Sequence, residues 1–114
     1  MAFELIWQTP ARRSFDELLA GAQASFERRR GAGKSSKAEG VFKQVHKCIL
    51  LLADNPRHPG LQTHEFHSLP HPYDERQKVF EAYAQNRTSG AYRVFWCYGP
   101  QAGQITILAI TPHP

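Results

Sequence analysis

Along the chain, the spacing of apolar residues changes period several times, and each change predicts an element. Phe3, Leu5 and Trp7 alternate with polar neighbours, the period-two pattern of a short strand that ends at Thr9-Pro10. From there the period lengthens: Phe15, Leu18, Leu19, Ala22 and Phe26 recur three and four apart, which predicts an amphipathic helix running to about residue 30. Thr9 is placed to cap it, Pro10 suits its first position, and Ser14-Phe15-Asp16-Glu17 offers a second start. Gly31-Ala32-Gly33 ends it. Ser35 or Ser36 can cap a second helix, with Glu39 completing a capping box from Ser36 and with Val41, Phe42, Val45, Ile49 and Leu52 on one stripe, until Asp54-Asn55-Pro56 stops it. Two such helices joined by a short Gly/Ser turn predict an antiparallel helical hairpin.

Residues 55–77 are rich in Pro, His and Gly, with a short strand expected near Thr63–His67. Three strand-like runs follow, Lys78–Gln85, Ala91–Tyr98 and Gln104–Thr111, joined by turn-rich segments of hairpin length. The expected fold is α+β: an N-terminal strand, the helical hairpin, then an antiparallel meander of three to four strands with the hairpin packed on one face. With 114 residues and no long linker, one domain over residues 1–114 is expected.

Composition adds exclusions. The hydrophobic fraction of 41% and charged fraction of 21% are those of a globular chain rather than a disordered one. The run Cys48–Ala53 is far short of the ~20 residues that span a bilayer, and no basic-then-apolar leader opens the sequence, so a cytoplasmic protein without a membrane partner is expected. Cys48 and Cys97 make no disulfide framework and sit in apolar patterns, where they read as core residues.

Charge changes the picture more. Arg28, Arg29, Arg30, Lys34, Lys37, Lys43 and Lys47 face only Glu27 and Glu39 within residues 27–47, so this one segment exceeds the whole chain's net charge of +4. Such a patch is either a solvated helix face or a docking surface for a polyanion or an acidic partner. His58, His64, His67 and His71 cluster in sequence, but no cysteine lies nearby and their spacing does not suit a zinc turn, so no metal or cofactor is expected.

Asn55-Pro56 through Gly60-Leu61, Tyr92-Arg93-Val94-Phe95-Trp96, and Ile105–Ile110 ending in Thr111-Pro112-His113 together carry a resemblance. In this order they resemble the RelE/ParE superfamily of type II toxins, whose pattern is a P-x-x-x-G-L-like loop, a YRV-type strand and a hydrophobic last strand delivering a basic or histidine residue. The resemblance implies a toxin held inactive by a cognate antitoxin. One branch cleaves mRNA on the ribosome without a metal, by attack of a ribose 2′-OH on the adjacent phosphate; the ParE branch inhibits DNA gyrase, and a catalytically degenerate member would only bind a protein target. In the cutting branch the resemblance implies that Arg93 contacts the scissile phosphate and His113 is the general acid. Glu65, beside His64, falls where some members carry a catalytic glutamate, and Lys78 with Arg76 is placed to supply cations. The residues support this independently for Arg93, because a planar guanidinium fork matches phosphate geometry; the competing role is a cross-sheet ion pair with Glu81 or Glu65. Tyr73 is a candidate for stacking on a base. In ribosome-dependent nucleases positive helix surfaces contact ribosomal RNA, which makes Arg28–Arg30, Lys34, Lys37, Lys43 and Lys47 candidate RNA-binding residues.

Overall fold

A computed structural model describes residues 2–86 and 89–112. The elements, in chain order, are β1 (Glu4–Trp7), α1 (Thr9–Arg28), α2 (Lys37–Asp54), a 3-10 turn (Pro59–Leu61), β2 (His64–Phe66), β3 (Val79–Tyr83), β4 (Tyr92–Tyr98) and β5 (Gln104–Pro112). The helices start and stop close to where the capping chemistry places them. Ser36 caps α2 by accepting from the Glu39 amide, and the Glu39 side chain accepts from the Ser36 amide in return. At α1 the expectation differs from the structure. Helix geometry begins at Thr9 after an extended Gln8, the Gln8 side chain makes no capping bond, and the Ser14 start is simply interior. Pro10, near the N-terminus of the helix, forfeits no intrahelical bond there.

The sheet order is β1-β5-β4-β3-β2. β2 to β5 form the antiparallel meander, and β1 adds in parallel to the far edge of β5, pairing Leu5 with Ile105 and Trp7 with Ile107. The hairpin covers one face. Val41, Val45, Ile49 and Leu52 of α2 meet Val94 and Trp96 of β4 and Ile105, Ile107 and Ile110 of β5 in the main core. Each fully buried side chain of this size contributes roughly 1.5–3 kcal/mol.

A smaller cluster lies on the opposite face, built from Val79, Phe95, Cys97 and Leu108 with Phe66, Leu69 and Ala109. A bulge makes this possible: Phe95 pairs with Ala109 but Trp96 with Ile107, leaving Leu108 as an extra residue in β5. The β2–β3 connection folds over this cluster and is pinned there. His71 Nδ1 accepts from the amides of Tyr73 (3.2 Å) and Asp74 (3.1 Å), its Nε2 donates to the Tyr98 carbonyl (2.9 Å), and the Tyr73 hydroxyl bonds Thr106 Oγ1 (3.0 Å). The candidate chemistry lies at the other end of this face.

Candidate functional site

Successive side chains of a strand point to opposite faces, and residues paired across two strands share a face. In β3, Phe80 and Ala82 go to the main core, so Val79, Glu81 and Tyr83 face the other way. Tyr83 pairs with Arg93 of β4 and Glu81 with His64 of β2. Four side chains from three strands therefore meet at that end of the face: His64, Glu81, Tyr83 and Arg93.

These groups lie close together. His64 Nε2 is 2.6 Å from Glu81 Oε1, and Nδ1 is 3.2 Å from the Gln62 carbonyl oxygen. Each ring nitrogen thus has an oxygen within hydrogen-bond distance. Glu81 is only 6% exposed, and a carboxylate that dry needs such a partner. The His64 ring sits edge-on to Tyr83, centroids 5.3 Å apart, while the Arg93 guanidinium carbon lies 3.7 Å from the Tyr83 ring centre. Arg93 is 8% exposed and donates from Nη1 to the carbonyl oxygens of Gln85 (2.7 Å) and Tyr92 (3.3 Å). Its buried Nε has no partner among the described residues. Neither Glu81 nor Glu65 pairs with it, and no other described carboxylate neutralises Arg93. The expected cross-sheet ion pair is thus replaced by a stacked cation held on carbonyl oxygens.

The other candidates are placed differently. Glu65 pairs in register with Phe80, whose ring packs against Trp96 on the helix side, and Glu65 Oε2 lies 3.7 Å from Lys78 Nζ. Alternation thus puts Glu65 on the face opposite to Arg93, paired with Lys78 instead of beside the phosphate candidate. His113 lies outside the described residues; the last described one, Pro112, pairs with Tyr92. Tyr73 shares the face of Arg93 but contacts Thr106, the partner of Cys97, four positions along β4 and about 13 Å away at ~3.3 Å per residue. Arg76 donates to both oxygens of Asp74 and holds that carboxyl below its usual range.

The basic segment divides. Arg28, Arg30, Lys34, Lys37, Lys43 and Lys47 are exposed. Arg29 is not available for docking: its Nε and Nη2 grip Glu39, and its Nη1 donates to the Ala32 carbonyl at 2.8 Å. The histidines disperse, with His58 accepting from the Gly60 amide, His64 on Glu81 and His71 in its pin; no group of three metal-binding side chains forms among the described residues. Cys48 and Cys97 are buried, and burial pushes their thiols up to about 12 and about 11, the state of inert core cysteines. No helix among the described residues is long and apolar enough to cross a membrane.

Glu81 and Tyr83 are the site residues that sequence reasoning misses. A signal is present, because a glutamate in the middle of Val79–Tyr83 is a charge inside an apolar strand. What the sequence lacks is register, which alone decides that Glu81 meets His64.

No protein-family profile and no curated sequence matches the chain. Solved structures do. A chain of the archaeal RelE–RelB complex from Pyrococcus horikoshii superposes with a TM-score of 0.56 at 12% identity, covering 98% of this chain and 96% of that one. A chain of the intact E. coli RelBE toxin–antitoxin complex gives 0.54 at 12% identity over 99% of both. The YoeB/ParE toxin from Agrobacterium tumefaciens gives 0.55 at 8% identity, covering 97% and 99%. Strand, helical hairpin and bulged sheet together therefore have, from end to end, the fold of the RelE, YoeB and ParE toxins.

Proposed function

We propose that this protein is the toxin of a type II toxin–antitoxin pair and that it cleaves mRNA on the ribosome by metal-free attack of a 2′-OH on the neighbouring phosphate. One observation carries this reading: Arg93 is a nearly buried cation, rigidly stacked on Tyr83, with no carboxylate among the described residues to neutralise it. A charge held in that state is prepared for an anion: Nη1 is taken by carbonyl oxygens and Nε is buried, which leaves Nη2 to meet a phosphate oxygen. As the phosphorane forms, Arg93 stabilises its developing charge. Next to the Tyr83 ring, the His64–Glu81 couple is able to exchange a proton, and His113 is the acid implied by family resemblance. The exposed lysines and arginines of the hairpin hold the toxin on ribosomal RNA, and a cognate antitoxin silences it by covering these surfaces.

The test is induction of the chain without a partner in growing cells, followed by mapping of mRNA 5′ ends and a gyrase supercoiling assay. The proposal expects growth arrest with new ends inside coding sequences and normal supercoiling. Arrest with blocked supercoiling and no new ends assigns the ParE-type target instead. Chelation of divalent ions during cleavage of a purified RNA–ribosome substrate is expected to leave the cut in place once ribosome integrity is controlled.

A further inference from the structure

The Arg93 site does not end at the sheet. β2 covers only the first part of β3, pairing with Val79–Glu81 and leaving the edge of Tyr83 without a neighbouring strand among the described residues. Between that edge and α2 lies a cleft of about 200 Å³, lined among others by Leu51, Leu61, Tyr83 and Asn86, with Gln44 and Lys47 on the helix side. Drug-sized ligands occupy ~300–1,000 Å³, so a cleft of this size suits one planar ring system.

Gln85 couples this cleft directly to the cation. Its carbonyl accepts from Arg93 Nη1 at 2.7 Å, its side-chain amide donates to Gln44 Oε1 at 2.7 Å, and its Oε1 accepts from the Tyr92 amide at 3.1 Å. The Gln85 amide orientation is thereby fixed, and the Gln44 amide nitrogen is left as a donor on the rim. Tyr83 serves both places, with its ring under Arg93 and its residue lining the cleft. Lys47 adds one positive charge at the mouth, one helical turn after Lys43.

We propose that this cleft is a nucleobase subsite: it takes the unpaired base of the nucleotide next to the phosphate held by Arg93, with Gln44 reading the base edge and Lys47 holding the flanking phosphate. This rests on the reading of Arg93 as the phosphate-binding residue of an RNA-cleaving site. A small cleft with oriented polar groups gives selectivity among bases, because an amide matched to one base edge is left unpaired by the wrong one. Selective cleavage would then be set partly by α2, outside the strands that do the chemistry.

The experiment compares cut sites of the wild type, Gln44→Ala, Lys47→Ala and the double variant in a translation extract programmed with a randomised mRNA pool. The expected result is cutting by all four, with base preference at one position beside the cut reduced at least fivefold in Gln44→Ala and the double variant. Lys47→Ala lowers overall cutting and keeps the preference. Gln44 is exposed, so folding is not at stake, and thermal melts of the variants check it. If the wild type cuts and Gln44→Ala keeps the same preference at every position, the subsite is wrong while the nuclease reading stands. If the wild type makes no cuts, the nuclease reading fails and the subsite falls with it.

Discussion

The carboxylate of Glu39 is bound by Ser25 Oγ, by the Ser36 amide and by the Arg29 guanidinium, which joins the end of α1 to the start of α2 through one side chain. These bonds, the Arg29 hydrogen bond foremost, lower its pKa from an ordinary 4.5 to about 2. The native state therefore prefers the ionised form more than the unfolded chain does. The stabilisation is complete above about pH 4.5 and is lost as pH falls through that range towards 2. Glu39→Gln is expected to lower the melting temperature at pH 7 and to narrow the gap from wild type at pH 3, checked by melts at the two pH values. At Arg93 the argument is about charge and shape together. Arg93→Lys keeps the charge but loses the fork and the stacking on Tyr83, and should lose most of the growth arrest, while Arg93→Ala abolishes it. Full arrest by Arg93→Ala would remove the phosphate assignment. Glu81→Gln, which leaves His64 a neutral partner, is expected to slow cleavage more than it weakens the affinity for RNA, read from single-turnover rates beside binding titrations.

Among the elements, α2 contributes most to the core, and Leu52→Ala is expected to cost about 2–5 kcal/mol in a denaturant titration. A change at His71 acts differently, because it unpins a connection rather than opening a hole. His71→Ala leaves the Tyr73 and Asp74 amides without their acceptor, and should raise hydrogen exchange in residues 71–77 before it affects the helices. The two helices and three long strands are legible in the sequence because each carries its own period and its own stop signal. Of the two caps the sequence offers, Ser35 and Ser36, the structure uses Ser36 with Glu39, and α2 ends within Asp54-Asn55-Pro56. Phe26 is not legible: its position fits the apolar stripe of α1, yet it is 52% exposed, standing over Gly31 in the turn beyond the core. The parallel pairing of β1 with β5 and the Glu81–His64 contact are also beyond reach, since both depend on long-range register. The separation of Glu65 from Arg93 follows from the same register, which turns a candidate one position along β2 to the other face.

For the whole molecule, the relevant quantity is where the charge sits in relation to the site. Lys43 and Lys47 are on the helix that lines the cleft beside Tyr83, whereas Arg28, Arg30 and Lys34 surround the turn between the helices. Removing the second group is expected to weaken ribosome binding and flatten its salt dependence by roughly 0.7–0.9 log unit per log unit of salt for each phosphate no longer neutralised. It should leave the choice of cut site as it was, and binding assays across a salt series together with end mapping separate the two effects. The order β1-β5-β4 has a temporal consequence. β5 lies between two neighbours, one of them made at the start of synthesis: the Gln104 side chain bonds Glu4 across 100 residues. Pairings that distant close late. A nascent chain therefore holds a finished helical hairpin and an unfinished sheet until its final strand emerges, and Arg93 gains its neighbour Thr111 only then. Under the activity proposed above, the site is incomplete while the chain is being made, which leaves an interval in which a partner can be waiting for it.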